Sequence, residues 1–385
     1  MNSIYQGVPM KNWQRLARMS LAVPLLALGL AACGDSDTKS TSPEASAAAE
    51  AAPDPVTTPP TEITITTPLE APPEAGKTFF WLQCELPICG KIGTGVEAAV
   101  DAAGWNYENI VFKATDPGGA IESAIQQSPD VIGITGIPSA AIEAQLASAA
   151  EAGIPVVTCS PGPEDPSPET YAAICSQTTQ PDGENLALWA IKDSSGGANI
   201  VTVTIPSFPS LQTTVDGVHK MVDEHCADCS ADELELTVED LAGGQVASKL
   251  VAYLQSNPDT DYVLFNFADL EIGVPEALQA AGFEDKVKLI GNGGGPQQFE
   301  ALVEGGGMDA AWVAYPSLYS GWQMVDAALR LVDGGTLPDG YHEEMRSLPT
   351  YIVDTPEAAE ALAPSYDFAG PAGYEEQFTE LWQLN

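Results

Sequence analysis

The chain has 385 residues, with 54 Asp+Glu against 14 Lys+Arg and a formal net charge of −40. A field of that sign repels nucleic acid, whose binding depends on Lys and Arg, and it repels an anionic membrane surface as well. With 44% hydrophobic residues the chain still has enough apolar side chains to build cores of ordinary domain size, so disorder throughout is excluded.

Lys11, Arg15 and Arg18 precede an apolar run from Leu21 to Ala32 that contains Pro24, and the sequence Leu30-Ala31-Ala32-Cys33-Gly34 closes it. That is the layout of a secretory signal peptide over 1–32. The run is roughly a dozen residues, and a helix needs about 20 to span hydrocarbon. Small residues directly before a Cys, followed by Gly, resemble the bacterial lipobox. The resemblance implies a lipid on Cys33, holding the protein on the extracytoplasmic face of the cell membrane; an ordinary cleaved leader with a stray Cys is the alternative. Residues 33–76 are rich in Ala, Pro, Thr, Ser and Glu and are expected to form a disordered tether, whose ends would lie roughly 30–40 Å apart. Six Cys follow, an even number suited to an oxidising compartment. Local pairing is preferred: Cys84 with Cys89, Cys159 with Cys175, Cys226 with Cys229. The run His225-Cys226-Ala227-Asp228-Cys229 also admits a metal or redox reading, but lacks a clear fourth ligand.

From 77 onward, short apolar runs alternate with amphipathic helices. Strands are expected at Thr78–Leu82, Val111–Ala114, Asp130–Ile134, Gly153–Thr158, Asn199–Val203, Leu234–Val238, Tyr262–Phe265, Val287–Ile290 and Ala310–Val313. Between them, helical spacing marks about Lys91–Ala103, Ile121–Gln127, Ile142/Leu146/Ala149, Leu211/Val215/Val218/Val222, Val246/Leu250/Leu254 and Ala277–Ala281, with Leu318/Trp322/Val325/Leu329 on a last long helix. This alternation implies βαβ units and parallel sheets, in two runs of similar size. The expected fold is therefore α/β with two Rossmann-like lobes. Ligands bind beyond the carboxyl ends of such strands, so two facing lobes would form a closing cleft.

Several motifs occur in a telling order: Ala152-Gly153-Ile154-Pro155-Val156-Val157-Thr158, Asn257-Pro258-Asp259, Asn266-Phe267-Ala268-Asp269, Leu278-Gln279-Ala280-Ala281-Gly282, Gly306-Gly307-Met308-Asp309-Ala310 and Tyr315-Pro316. The series resembles the ribose-binding-like group of type I periplasmic solute-binding proteins of ABC transporters, over about 77–355. The resemblance implies a multi-strand hinge, with lobe one at 77–176 plus 315–347. Lobe two would be 177–314 plus 348–385, including a C-terminal extension anchored by Phe378 and Trp382. It also implies a pocket built from loops after successive strands. The positions so placed are Glu85, Leu86 and Ile88, then Ser160, then Phe208 and Gln212, then Asn266, Phe267 and Asp269, then Asn292 and Tyr315. Ribose binders carry Asp then Arg after the strand that here ends at Thr158; Ser160 and Pro161 stand there instead, so a bidentate charged grip is missing. The pocket is expected to be aromatic, with amide and hydroxyl groups and little charge. Trp312 reads as core; Glu85 and Asp269 read equally well as solvated or hinge-linked groups.

Enzyme chemistry finds little support. The three His (His219, His225, His342) lack a nucleophile motif, and Gly90-Lys91-Ile92-Gly93-Thr94-Gly95 has the wrong spacing for a dinucleotide fingerprint. No catalytic residue, metal or cofactor is expected. The functional expectation is a lipoprotein that delivers a small uncharged solute to an ABC permease, sugar-like or less polar and aromatic. The alternative is a sensory or scaffold lipoprotein of the same fold, binding a signal molecule or partner protein.

Overall fold

A computed structural model describes residues 42–113, 116–167, 170–305 and 307–384. Cys33 and the leader lie outside them. Residues 41–385 form one compact unit with two parallel sheets. The first sheet runs β2(Asn106–Phe112)-β1(Thr78–Cys84)-β3(Val131–Thr135)-β4(Val156–Cys159)-β5(Tyr171–Ile174). The second runs β11(Tyr351–Val353)-β10(Asp309–Ala314)-β9(Lys288–Gly294)-β8(Tyr262–Phe265)-β6(Asn199–Thr204)-β7(Ser230–Glu235), and only β11 is antiparallel. Central strands such as β4 and β8 are buried along their whole length, as expected where helices cover both faces. The expected two-lobed α/β fold is present.

The helices are α1(Pro43–Ala51), α2(Pro87–Ala102), α3(Pro117–Ile125), α4(Glu143–Glu151), α5(Thr179–Asp193), α6(Pro209–His225), α7(Val238–Ala242), α8(Val246–Ser256), α9(Val274–Ala281), α10(Pro296–Glu304), α11(Ser317–Leu331), α12(Tyr341–Met345), α13(Pro356–Glu360) and α14(Tyr374–Leu381). Several open on a Pro in the first turn, where its missing N–H has no intrahelical partner to lose. Strand β5, helix α5 and the short β11 are elements that hydrophobic spacing does not reveal. Strand β9 runs on through Gly291–Gly294, past the Ile290 end expected from its apolar run.

In each lobe one helix pair packs through glycines. A Cβ on Gly95 of α2 would stand 2.1 Å from the Leu318 carbonyl oxygen of α11, and one on Gly321 would stand 2.3 Å from the Val96 nitrogen. In the other lobe, Gly183 of α5 and Gly217 of α6 meet the backbone of Thr214 and Gln180 as closely.

The tether reading of 33–76 fails from Ser42 onward. Ser42 accepts from the Ala45 N–H and caps α1. Ala49 and Ala52 are buried against a core that includes Leu188 and Ile191 of α5. The Val56 carbonyl accepts from the Ile352 N–H at 2.8 Å, on the second lobe's edge strand. Ile63, Ile65 and Leu69 are then buried in the first lobe's core. The composition is polar, but those three apolar side chains find a surface already built for them by α11 and α14. The C-terminal extension also divides: α13 packs on α10 of lobe two, whereas Tyr374, Phe378 and Trp382 join the lobe-one core. The packing of Tyr374, Phe378 and Trp382 runs against the assignment of all of 348–385 to lobe two.

Among the described residues two disulfides are formed, Cys84–Cys89 and Cys226–Cys229. The second occupies both thiols of the Cys-x-x-Cys run, so its metal reading falls. The third expected bond, Cys159–Cys175, is not formed. Both are buried thiols with sulfurs 2.9 Å apart, at the ends of the neighbouring strands β4 and β5. Each has another polar neighbour: Cys175 donates to Gln323 Oε1 at 3.4 Å, and Cys159 lies 3.9 Å from the Tyr315 hydroxyl.

Candidate ligand-binding site

The carboxyl ends of β1, β3 and β4 face those of β6, β8 and β9 across a cavity of about 170 Å³. Lobe one contributes Leu86 and Ile88, the Cys84–Cys89 bridge, Ile92, Thr135, Ile137 and Ser160. Lobe two contributes Thr179, Phe208, Ser210, Leu211, Asn266, Phe267 and Asn292, and Tyr315 stands where the chain returns from β10 to lobe one. Among the described residues no charged side chain lines this cavity, and its exposed lining is almost wholly apolar.

Local structure explains these positions. The disulfide closes the turn between β1 and α2, which holds Leu86 and Ile88 at the cleft. Ser160 follows β4 with a φ of 52°, a left-handed conformation that brings its Oγ within 3.3 Å of the Tyr315 hydroxyl. Burial pushes the Tyr315 phenol well above its usual range, so it stays a neutral hydroxyl. The register of β8 on β9 pairs Phe265 with Gly291, which sets Asn266 beside Asn292 at the next step. Asn266 Nδ2 donates to Thr204 Oγ1 at 2.7 Å and to the Leu211 carbonyl at 3.1 Å. Asn292 Nδ2 donates to Asp182 Oδ2 at 3.1 Å, and Thr350 donates to the other Asp182 oxygen at 2.6 Å. Burial raises Asp182 to about 7, against the lowering effect of these two donors.

Of the residues assigned from sequence, Leu86, Ile88, Ser160, Phe208, Asn266, Phe267, Asn292 and Tyr315 line the cavity. Three do not. Glu85 is exposed and is not among the residues lining the cavity. Gln212 points along α6 and donates to Asp216 Oδ1 at 3.3 Å, one helical turn on. Asp269 lines a neighbouring cavity with Lys91 and Gln297; burial raises its carboxyl, while Lys91 lowers it. Trp312 is fully buried and stacks on Phe265 with centroids 6.0 Å apart, behind the site. Sequence reading left Ile92, Thr179 and Leu211 unassigned, because apolar and hydroxyl residues inside helices carry no motif. A wider cavity of about 690 Å³ shares Gly136, Ile137 and Phe208 with the first and continues the cleft past Pro138 and Pro206.

Residues 71–336 match the family model described as periplasmic binding protein domain, a span of more than half the chain. The chain belongs to the periplasmic binding protein family. Solved structures share the fold at low identity. The 5-methylthioribose transporter solute binding protein of Thermotoga lettingae TMO is 17% identical, with a TM-score of 0.66, covering 83% of this chain and 100% of that one. An ABC transporter solute binding protein of Mycobacterium smegmatis, with bound glycerol, is 18% identical with a TM-score of 0.65, covering 77% and 100%. The ABC sugar transporter subunit of Rhodobacter sphaeroides 2.4.1 is 20% identical with a TM-score of 0.62, covering 73% and 99%. No curated protein is a significant sequence match. Among the described residues no helix of this binding protein is long and apolar enough to cross a membrane.

Proposed function

We propose that this chain is the substrate-binding component of an ABC importer, capturing a small uncharged solute outside the membrane and presenting it to a permease. The observation that carries the reading is an uncharged cavity of about 170 Å³ between the carboxyl ends of two facing parallel sheets. Its family is one of binding proteins, and solved members were obtained with allitol, D-allose, glycerol and 5-methylthioribose. A sugar or sugar derivative is the first candidate class. Lipidation at Cys33 would keep the receptor beside its transporter, which an acidic protein could not achieve by attraction to anionic lipid.

Native mass spectrometry of gently purified full-length protein tests the reading: a neutral solute should co-purify and dissociate on activation. If nothing co-purifies and a broad panel of sugars and aromatic solutes gives no thermal shift, solute capture is refuted. We further propose that Phe208 and Phe267 contact the solute. Phe267→Ala should weaken binding about tenfold or more, since a buried aromatic contact is worth more than about 1.4 kcal/mol. Gln212→Ala should leave affinity unchanged, because its amide is engaged with Asp216.

A further inference from the structure

The two lobes touch beside the cavity at two places. At one, Gly162 of lobe one has a φ of 107°, and a Cβ there would stand 3.2 Å from Pro209 Cβ and 3.5 Å from the Ser210 nitrogen, at the start of α6 in lobe two. At the other, the contact is charged. Lys91 of α2 reaches out of lobe one, and its Nζ donates to Asp367 Oδ1 at 3.3 Å. The same Nζ lies 3.4 Å from where a Cβ on Gly295 would stand, at the start of α10 in lobe two. Lys91 also lines a cavity of about 230 Å³ with Asp269 and Gln297 of lobe two, and this cavity shares Ile88, Phe267 and Gly293 with the first.

Asp269 has the most to gain from that lysine. Its Oδ2 is buried with no hydrogen-bond partner, burial works against its charge, and Lys91 works in favour of it. Asp367 stands at a crossing, between Tyr366 on the lobe-two core and Ala369 on the lobe-one core. Moving the lobes apart would draw the ammonium away from Asp269 and Gly295 and return it to water. The attraction to lobe two therefore exists only while the cleft is shut.

Resting on the reading of this cleft as a solute site, we infer that Lys91 is its latch: carried by lobe one, its ammonium holds the cleft shut through Asp269 of lobe two and Asp367 at the crossing. A solute enclosed in the cavity leaves through the open form, so the latch sets how long it stays. The Lys91 side chain keeps 39% of its exposure and that of Asp367 24%. The charges are partly screened by water, and the latch shifts the closed–open balance by about two- to fivefold, the range of a half-exposed ion pair.

Hydrogen–deuterium exchange on the solute-free full-length protein reads the latch. Amides covered by lobe closure exchange through the open form, at a rate that follows its population. In peptides that report Gly162 and Ser210, Lys91→Met should speed exchange by about two- to fivefold at low salt. Lys91→Arg keeps the charge and should stay near the parent. At about 1 M NaCl, where the screening length is about 3 Å, the parent should approach Lys91→Met. Amides of the central strands β4 and β8 should exchange at the parent rate throughout. Equal rates at Gly162 and Ser210 in the parent and Lys91→Met overturn the latch. So does a rise that appears equally in β4 and β8, which would make Lys91 a residue of general stability. No solute enters this test, so the latch can fail while solute capture, judged by native mass spectrometry, stands. If exchange responds as expected and no solute is found, closure is latched and solute capture alone falls.

Discussion

Asp326 is fully buried on α11 and gathers four elements. Arg330 donates to it from Nε at 3.0 Å, Trp382 donates from the indole at 2.7 Å, and the Tyr341 hydroxyl donates to the same carboxylate. Arg330 also donates to the Thr67 and Pro68 carbonyls of the N-terminal segment. Removing one member of a buried pair leaves the other charge desolvated and unpaired. Asp326→Ala should therefore cost about 3–5 kcal/mol in chemical denaturation, with loss of protection at both chain ends. A second buried carboxyl behaves differently. Glu271 accepts from Gln297 at 3.1 Å and from Gln298, and the Asp309 carboxyl is close enough to repel its charge. Burial first, and the Asp309 charge second, raise it from 4.5 to about 9. The folded state thus holds a proton that the unfolded chain releases. The stability contribution is complete below pH 4.5 and is lost progressively as pH rises to about 9. Glu271→Gln is neutral at every pH, so denaturation midpoints should fall less steeply across that window than in the parent.

At the scale of elements, helix α11 shows how spacing understates burial. Leu318, Trp322, Val325 and Leu329 predict a single apolar face. In the structure Ser320, Gln323, Asp326 and Arg330 on its other sides are buried as well. They are covered by the N-terminal segment and by α14, whose Trp382 stacks on Trp322 with centroids 5.2 Å apart. Its contact with α2 depends on Gly95 and Gly321, which let the backbones touch. Gly321→Ala should force the pair apart and cost about 1–3 kcal/mol, measured as a lower denaturation midpoint, although Ala favours a helix intrinsically. The expected tether is likewise an element of the body. Ile65 is 1% exposed, so Ile65→Ala should cost about 2–4 kcal/mol; a change near zero would mean that the segment is detached in solution.

For the whole molecule, the chain passes between lobes after β5, after β10, before β11 and again between α13 and α14. The N-terminal segment adds a further link, from α5 and Ile352 in lobe two to Tyr319 and Glu344 on the lobe-one side. Closure of the cleft has to accommodate this segment as well as the hinge strands. Deleting residues 42–69 should thus change solute affinity as well as stability, since a link fixed to both lobes biases the open–closed balance. Titration calorimetry on the truncated and complete chains, at a temperature where both are folded, checks this.

The alternation of apolar runs and helical spacing determined by itself that the body is two parallel α/β lobes, and that loops after successive strands meet in a cleft. This was legible because period-two and period-3.6 patterns are local, and because strand carboxyl ends share one side of a parallel sheet. The resemblance to solute-binding proteins then picked out the loops at Leu86–Ile88, Ser160, Asn266–Phe267 and Asn292, in keeping with that rule. Only the tertiary structure decided which side chains there face the cavity. It turned Gln212 along its helix and kept Glu85 out of the cavity lining. It also decided that Cys159 and Cys175 remain thiols and that a polar-looking N-terminal segment is bound to both lobes. Each of these depends on residues more than a hundred positions away or on the direction of one side chain, and neither distant contact nor side-chain direction has a period that a sequence displays.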